Sequence, residues 1–538
     1  HSYREVAEEA AYTWFNRLMA IRIMVKNELV PAVLEYESDE VRIPLLVSEA
    51  RQRRFPQMNE ESRQKLEALL NNDALTDEQF AVLIVAYCHS SPIIHKSFGA
   101  ISDYTELLLP SNILAKDGFI DKLNADEYIS DEDYRSPELI GWLYQFYISE
   151  RKDEVFAKKS KFEADEIPAA TQIFTPNWIV KYMVQNTVGR IYLDNNPYTD
   201  IKKEMQYLVE PVEPTPADAI YQFENIHDLT CADLACGSGH ILNECFDLLY
   251  QIYIEEGYNR RKAVEDIFRY NLTGIDIDTR AKQLATFALL MKACQKDASF
   301  VDAHCMPRVL DMPVPYAEAM GKTFNTPDEE RTFIRSVLSE YIMGGNAEVL
   351  DELTDAVSLM NDAQTLGSIM KFTISERTRN VIAVRTAEYE QQEVLSEDIR
   401  KILPYMRIIL TLTQNYAVLV MNPPYMGGGN MNEVLGKYVK ENYENSKADL
   451  FSVFMDLAID RLKQEGKYGM INMQSWMFLS SFEKLRKKVL DNYQIDSMLH
   501  LGPRTFDELS GEVVQNTAFV ISRNHKENTQ GTYFRLVD

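Results

Sequence analysis

The 538-residue chain carries 56 Lys and Arg against 82 Asp and Glu, a net charge of −26, with 46% hydrophobic residues. That length is too great for one ordinary domain, and the apolar content is enough for sizeable cores. No apolar run reaches the length of a membrane span and no signal-peptide pattern opens the chain. The acidic balance counts against a nucleic-acid surface, except where basic residues cluster locally.

The six cysteines, Cys88, Cys231, Cys236, Cys245, Cys294 and Cys305, form no CxxC pair and no paired framework. They read as reduced, buried thiols of a cytoplasmic protein. The eight histidines are scattered, and His304-Cys305 alone makes no zinc site, so no metal is expected. The chain opens on His1 rather than methionine, which reads as a piece of a longer polypeptide.

In chain order, residues 1–165 read as a helical domain. AAYTWFNRLMAIRIMVKNEL has apolar residues at helical spacing, and LIGWLYQFYISERKDEVFAKKSKF is a second strong helix running into a basic stretch, Arg151 to Lys161. The acidic DEYISDEDY between them reads as solvated surface. A packing domain and a partner or nucleic-acid surface are both open for this region.

From about residue 166 the texture becomes α/β. Phe174-Thr175-Pro176 precedes an apolar helix and, taken alone, reads as an N-cap with proline at the first helical position. NIHDLTCADLACGSGHILNECFDLLYQIYIEEG is strand, glycine turn and long helix; RRKAVEDIFRY is a helix and NLTGIDID a strand. That alternation argues for a parallel sheet covered by helices. Residues from 316 to about 405 read as a helical insertion, beginning with Thr326 as N-cap, Pro327 at the first position and Glu329 completing a capping box. Strand–helix texture resumes at YAVLVMNPPY, with a glycine loop, the helix ADLFSVFMDLAIDRLKQEG and the strand KYGMINMQ. A helix around FEKLRKKVLDNY and two strands, IDSMLHLG and NTAFVISR, close the pattern.

Three motifs carry chemistry. In Asp233-Leu-Ala-Cys-Gly237-Ser-Gly239-His240 the glycines allow a tight turn and close backbone approach to a ligand beside a helix N-terminus. It is not GxGxxG, because Leu242 occupies the third glycine's place, and Asp233 before it could bind an amino group. Asp276, ending the next strand, is placed to hold ribose hydroxyls. In Asn422-Pro423-Pro424-Tyr425 an amide oxygen and a rigid prolyl carbonyl form two acceptors aimed at one NH2 group, with the Tyr425 ring to stack on a flat base. The ring face matters in that reading and the hydroxyl is dispensable. A nucleobase amine is a poor nucleophile, and two acceptors stabilise the positive charge it develops during attack. Strands bearing Asp233, Asp276 and Asn422 are expected side by side, projecting all three from one C-terminal edge.

The ordered set FTP, DLACGSGH, GIDID, NPPY resembles the γ class of N6-adenine DNA methyltransferases. With AYTWFNRLMAIRIM, GWLYQFYISERKDEVF and IPAATQIFTPNWIVKYMV, nearly the whole chain is similar to the PglX-type methyltransferases of BREX phage-defence systems. The resemblance implies a Rossmann-like methyltransferase domain at 166–538, using S-adenosylmethionine, behind a helical domain at 1–165. It implies that Phe174, Thr175 and Pro176 hold the methionine end of the cofactor. The loop with Asp233, Ala235, Cys236, Gly237 and Gly239 would wrap its amino-acid part, with Asp276 on the ribose and the adenine contact near Asp311. Asn422 and Pro423, within NPPY, would bind the target N6, and Tyr425 and Phe506 would stack on a flipped base. It further implies duplex DNA and other BREX components as partners, no membrane partner, and a C-terminal target-recognition region absent from this chain. Two other readings stay open: the same chemistry on protein glutamine or RNA, and a non-catalytic, complex-forming defence subunit.

Overall fold

A computed structural model describes residues 3–537 except 39, 100–107, 127, 159, 504, 506–514 and 526–528. The chain divides into two compact units, residues 1–144 with 283–307, and residues 145–282 with 308–538. The first is helical. Its opening helix, Tyr3–Lys26, buries Trp14, Leu18, Ile21 and Met24, a face set by the three-to-four residue spacing of its apolar side chains. Two buried arginines in that helix are partnered through their terminal nitrogens: Arg17 donates to the Phe98 carbonyl at 2.9 Å, and Arg22 pairs with Glu35 at 2.7 Å. The returning segment is tied in by Lys96, which donates to the Ala303 carbonyl, and by Phe98 against Phe287.

The second unit is built on one eight-stranded sheet: β1 Cys231–Asp233, β2 Leu272–Asp276, β3 Arg308–Asp311, β4 Tyr416–Met421, β5 Leu462–Met473, β6 Gln494–Gly502, β7 Asn516–Ser522 and β8 Thr532–Arg535. Their order is β3-β2-β1-β4-β5-β7-β6-β8. The first five pair in parallel, while β7 runs antiparallel to both β5 and β6. This is a Rossmann-like α/β sheet whose chain order reverses between β1 and β4, where open sheets leave a crevice at the strands' C-terminal ends. β4 is buried at every residue, as a central strand covered on both faces must be.

Three local expectations change. The helix expected through Gly466 stops at Arg461, and Leu462 already pairs with Tyr416. Lys463–Gly466 then bulge out, with Glu465 at φ 59°, before Lys467 pairs with Val418. A charged run is a poor strand signal, so only the pairing partner defines it. Thr326 does cap its helix, accepting from the Glu329 amide, but the Glu329 carboxylate accepts from the Asn325 amide, one residue before the cap. Thr175 is not an N-cap: the helix Asn177–Val184 follows Pro176 with no side-chain cap, leaving the Thr175 hydroxyl free for other work.

Candidate functional site

Asp233, Asp276 and Asn422 stand at or one residue past the C-terminal ends of β1, β2 and β4, neighbours in the sheet. Between β1 and the helix His240–Glu255, Gly237 and Gly239 take φ of 52° and 89°, a left-handed region open to glycine at little cost. The turn is locked from below, because Asp276 accepts from the Gly237 amide at 2.8 Å and from the Asp278 amide at 2.9 Å. Leu242 fills the place of a third glycine, and the room comes from the strand side. A Cβ on Gly274 of β2 would lie 2.5 Å from the Leu242 methyl.

Asp233 is 1% exposed; its Oδ1 accepts from the Ala235 amide, while its Oδ2 has no partner among the described residues. Burial pushes its pKa well above the ordinary carboxylate value. Burial also raises Asp276 to about 7, against the amide bonds that favour its ionised form. Asp311, paired with Asp276 across β2 and β3, lies 3.6 Å from Lys282. Cys236 is buried beneath the turn, its thiol pKa raised by burial.

The segment Ile173–Pro176 joins this turn to the NPPY motif. The Phe174 ring lies 4.4 Å from that of His240, the first residue of the glycine-turn helix. Asn422 Nδ2 donates to the Ile173 carbonyl at 3.1 Å and to the Thr175 hydroxyl at 2.9 Å. A carbonyl can only accept, so this contact orients the amide and sets Oδ1 on the opposite side. Pro423 is buried, and Tyr425 is half-buried with its ring nearly perpendicular to that of Phe451. The Tyr425 hydroxyl, expected to be dispensable, reaches Asn422 Oδ1 at 3.1 Å and the Ile471 carbonyl at 3.2 Å, and accepts from Asn516 Nδ2 at 3.4 Å.

Sequence reading missed several residues here. Asp449, raised to about 6 by burial, caps the helix Leu450–Arg461 and accepts from the Met426 amide, which pins the glycine loop after NPPY. Ser368, in the helical insertion, donates to the Leu234 carbonyl at 2.6 Å, so the insertion lines this edge. Only the Asp449-Leu-Phe pattern, an acid opening an apolar helix, carried a local signal. Phe506 lies outside the described residues. Among those described, no group of three His, Cys, Asp or Glu is arranged to hold a metal, and no helix is long and apolar enough to cross a membrane.

Residues 270–506 match the Eco57I restriction-modification methylase family. The chain is 37% identical over 566 aligned residues to "Adenine-specific methyltransferase BrxX" of Escherichia coli O9:H4 (strain HS), covering 100% of this chain and 46% of that protein. It is 34% identical to "Adenine-specific methyltransferase PglX" of Lacticaseibacillus casei (strain Zhang), covering 99% of this chain and 45% of that protein. The chain belongs to the BrxX/PglX family. It spans about half the length of these curated BrxX and PglX relatives. A more distant match, 24% identical over 68% of this chain and 30% of the other protein, is "Type II restriction enzyme and methyltransferase RM.Eco57I" of Escherichia coli.

Proposed function

We propose that the protein transfers a methyl group from S-adenosylmethionine to adenine N6 in DNA, and that it does so as the host-marking component of a BREX phage-defence system. The observation that carries this reading is the Asn422 amide, clamped by Ile173 and Thr175 so that its oxygen remains an acceptor at the sheet edge. The BrxX and PglX names point the same way.

The residues at the turn fit the cofactor. The Asp233 Oδ2, with no partner among the described residues, suits an ammonium, and the left-handed glycines, lacking side chains, let the cofactor's amino-acid part approach the backbone closely. Asp276 would accept from ribose hydroxyls, with Phe174 and Pro176 beside the methionine end. When bound, the cofactor supplies an electrophilic methyl group on a sulfonium. Asn422 Oδ1 and the Pro423 carbonyl accept from the target NH2 and draw its lone pair out of conjugation. Positive charge then builds on nitrogen between two fixed dipoles, which need no reorganisation. The Tyr425 ring stacks on the extruded base, since an adenine inside a duplex cannot reach the site.

The test is methyl transfer from labelled cofactor to duplex DNA by the full-length protein and its Asn422→Ala variant. A loss of about a hundredfold or more in rate with cofactor affinity retained is expected, because one preorganised acceptor is worth on the order of 3 kcal/mol. Parental rates in the variant overturn the mechanism. Transfer to protein or RNA in place of DNA overturns the substrate.

A further inference from the structure

We propose that Phe478 and Leu479 are a wedge that enters the duplex where the target base leaves the stack, with the adjoining basic helix Glu483–Asn492 holding the phosphates beside it. The proposal rests on duplex DNA being the substrate.

The two residues sit at the tip of a turn that starts where β5 ends, Gln474–Met477. Three positions before Gln474, Ile471 offers its carbonyl to Tyr425, so the turn rises from the edge that carries NPPY. Both feet of the turn are anchored. On one side Trp476 is buried against Phe519 at 5.2 Å. On the other Phe482 is buried against Phe451 at 5.5 Å, and Phe451 itself meets the Tyr425 ring at 6.0 Å. Arg486 clamps the turn by donating to the Trp476 carbonyl at 2.8 Å and the Leu479 carbonyl at 2.6 Å. Between these anchors Phe478 is 64% and Leu479 53% exposed.

A single exposed apolar residue needs no explanation. Two large ones together, on a braced turn at the rim of a base-binding edge, present an apolar wedge at fixed height. The helix that follows is basic in an acidic chain, with Lys484, Arg486, Lys487 and Lys488 against Glu483 and Asp491; Lys484 pairs with Glu444, Lys488 with Asp456, and Arg486 holds the turn. Lys487 is exposed and makes no ion pair among the described residues. Phosphates favour such a surface. Extruding a base unstacks its neighbours, and an apolar side chain placed in the gap offsets that cost. The geometry supplies the three parts together: acceptors for the base, a filler for the gap, and in Lys487 an exposed cation for the backbone.

The experiment compares the full-length parent, Phe478→Ala and Phe478→Leu on two duplexes, one fully paired and one with the target adenine opposite a mismatch. A mismatched base is already easy to extrude. Phe478→Ala is expected to lower kcat/KM about tenfold on the paired duplex and less than about twofold on the mismatched one, with Phe478→Leu close to the parent. Calorimetric cofactor affinity should stay unchanged in both variants, as expected for a surface residue outside the cofactor turn. Equal losses on both duplexes, or none on the paired one, overturn the wedge while leaving the methylation reading intact. A parent that methylates neither duplex overturns both.

Discussion

The hydroxyl of Tyr425 reaches the side-chain oxygen of Asn422 at 3.1 Å, so the aromatic residue of the motif also touches its amide. A hydroxyl has one proton, and the Ile471 carbonyl at 3.2 Å competes for it. Asn516, fully buried on β7, donates to the same hydroxyl and to the Asn472 carbonyl. The amide proposed to hold the target amine is thus supported through Tyr425 from β5 and β7 as well as from the Ile173–Thr175 segment.

Tyr425→Phe should therefore cost activity even though the ring face remains. Losing one neutral hydrogen bond is worth about 1 kcal/mol, or roughly fivefold, and the loss should appear in kcat more than in KM. Tyr425→Ala should lose a further 1–3 kcal/mol or so from base stacking. Steady-state kinetics on duplex DNA checks both; a Phe variant at parental rate would show that the hydroxyl bonds are incidental.

Thr175 is the second constraint on Asn422. Thr175→Val keeps the shape but leaves the Asn422 Nδ2 with the Ile173 carbonyl alone. We expect a kcat lower by about 1–2 kcal/mol, with Thr175→Ser restoring most of it. Identical rates for Val and Ser would remove the hydroxyl from the argument.

Cofactor affinity should tighten as pH rises through about 7. Asp276 titrates near 7 in the folded protein against 3.8 for a free aspartate, chiefly through burial. For a pKa raised by folding, the group's contribution to stability is complete below the unfolded value and is lost as pH rises through the folded one. The free protein therefore holds this proton at mildly acidic pH. A ligand that donates hydroxyls to the carboxylate must displace it, so binding releases a proton there. Calorimetry in buffers of different ionisation heat, at about pH 6 and about pH 8, reads the release directly. Asp276→Asn should abolish the pH dependence; a flat parental profile would place the ribose elsewhere.

Gly274→Ala should destabilise the second unit by about 1–3 kcal/mol, because its Cβ would meet the buried Leu242 methyl at 2.5 Å. Adding Leu242→Ala should show non-additivity, the pair costing less than the sum of the two single changes. Denaturant unfolding measures each. Simple additivity would mean the two residues do not share that space.

By itself the sequence determined what depends on local pattern. Apolar runs ending in special residues announced the strands that carry Asp233, Asp276 and Asn422, and the glycine turn needed only φ values that glycine tolerates. Helical spacing marked Tyr3–Lys26 and Leu139–Ala157 for the same reason: each residue's preference is written within a few neighbours. What tertiary structure decided depends on partners far along the chain. β5 begins at Leu462 because Tyr416 pairs with it, against the helical look of its charged residues. Residues 283–307 return to the first unit, and Gly274 makes the room that Leu242 takes. Thr175 serves Asn422, 247 positions away, instead of its own helix. A hydroxyl can satisfy either neighbour equally well, and only the fold, by bringing one of them within 2.9 Å, chooses.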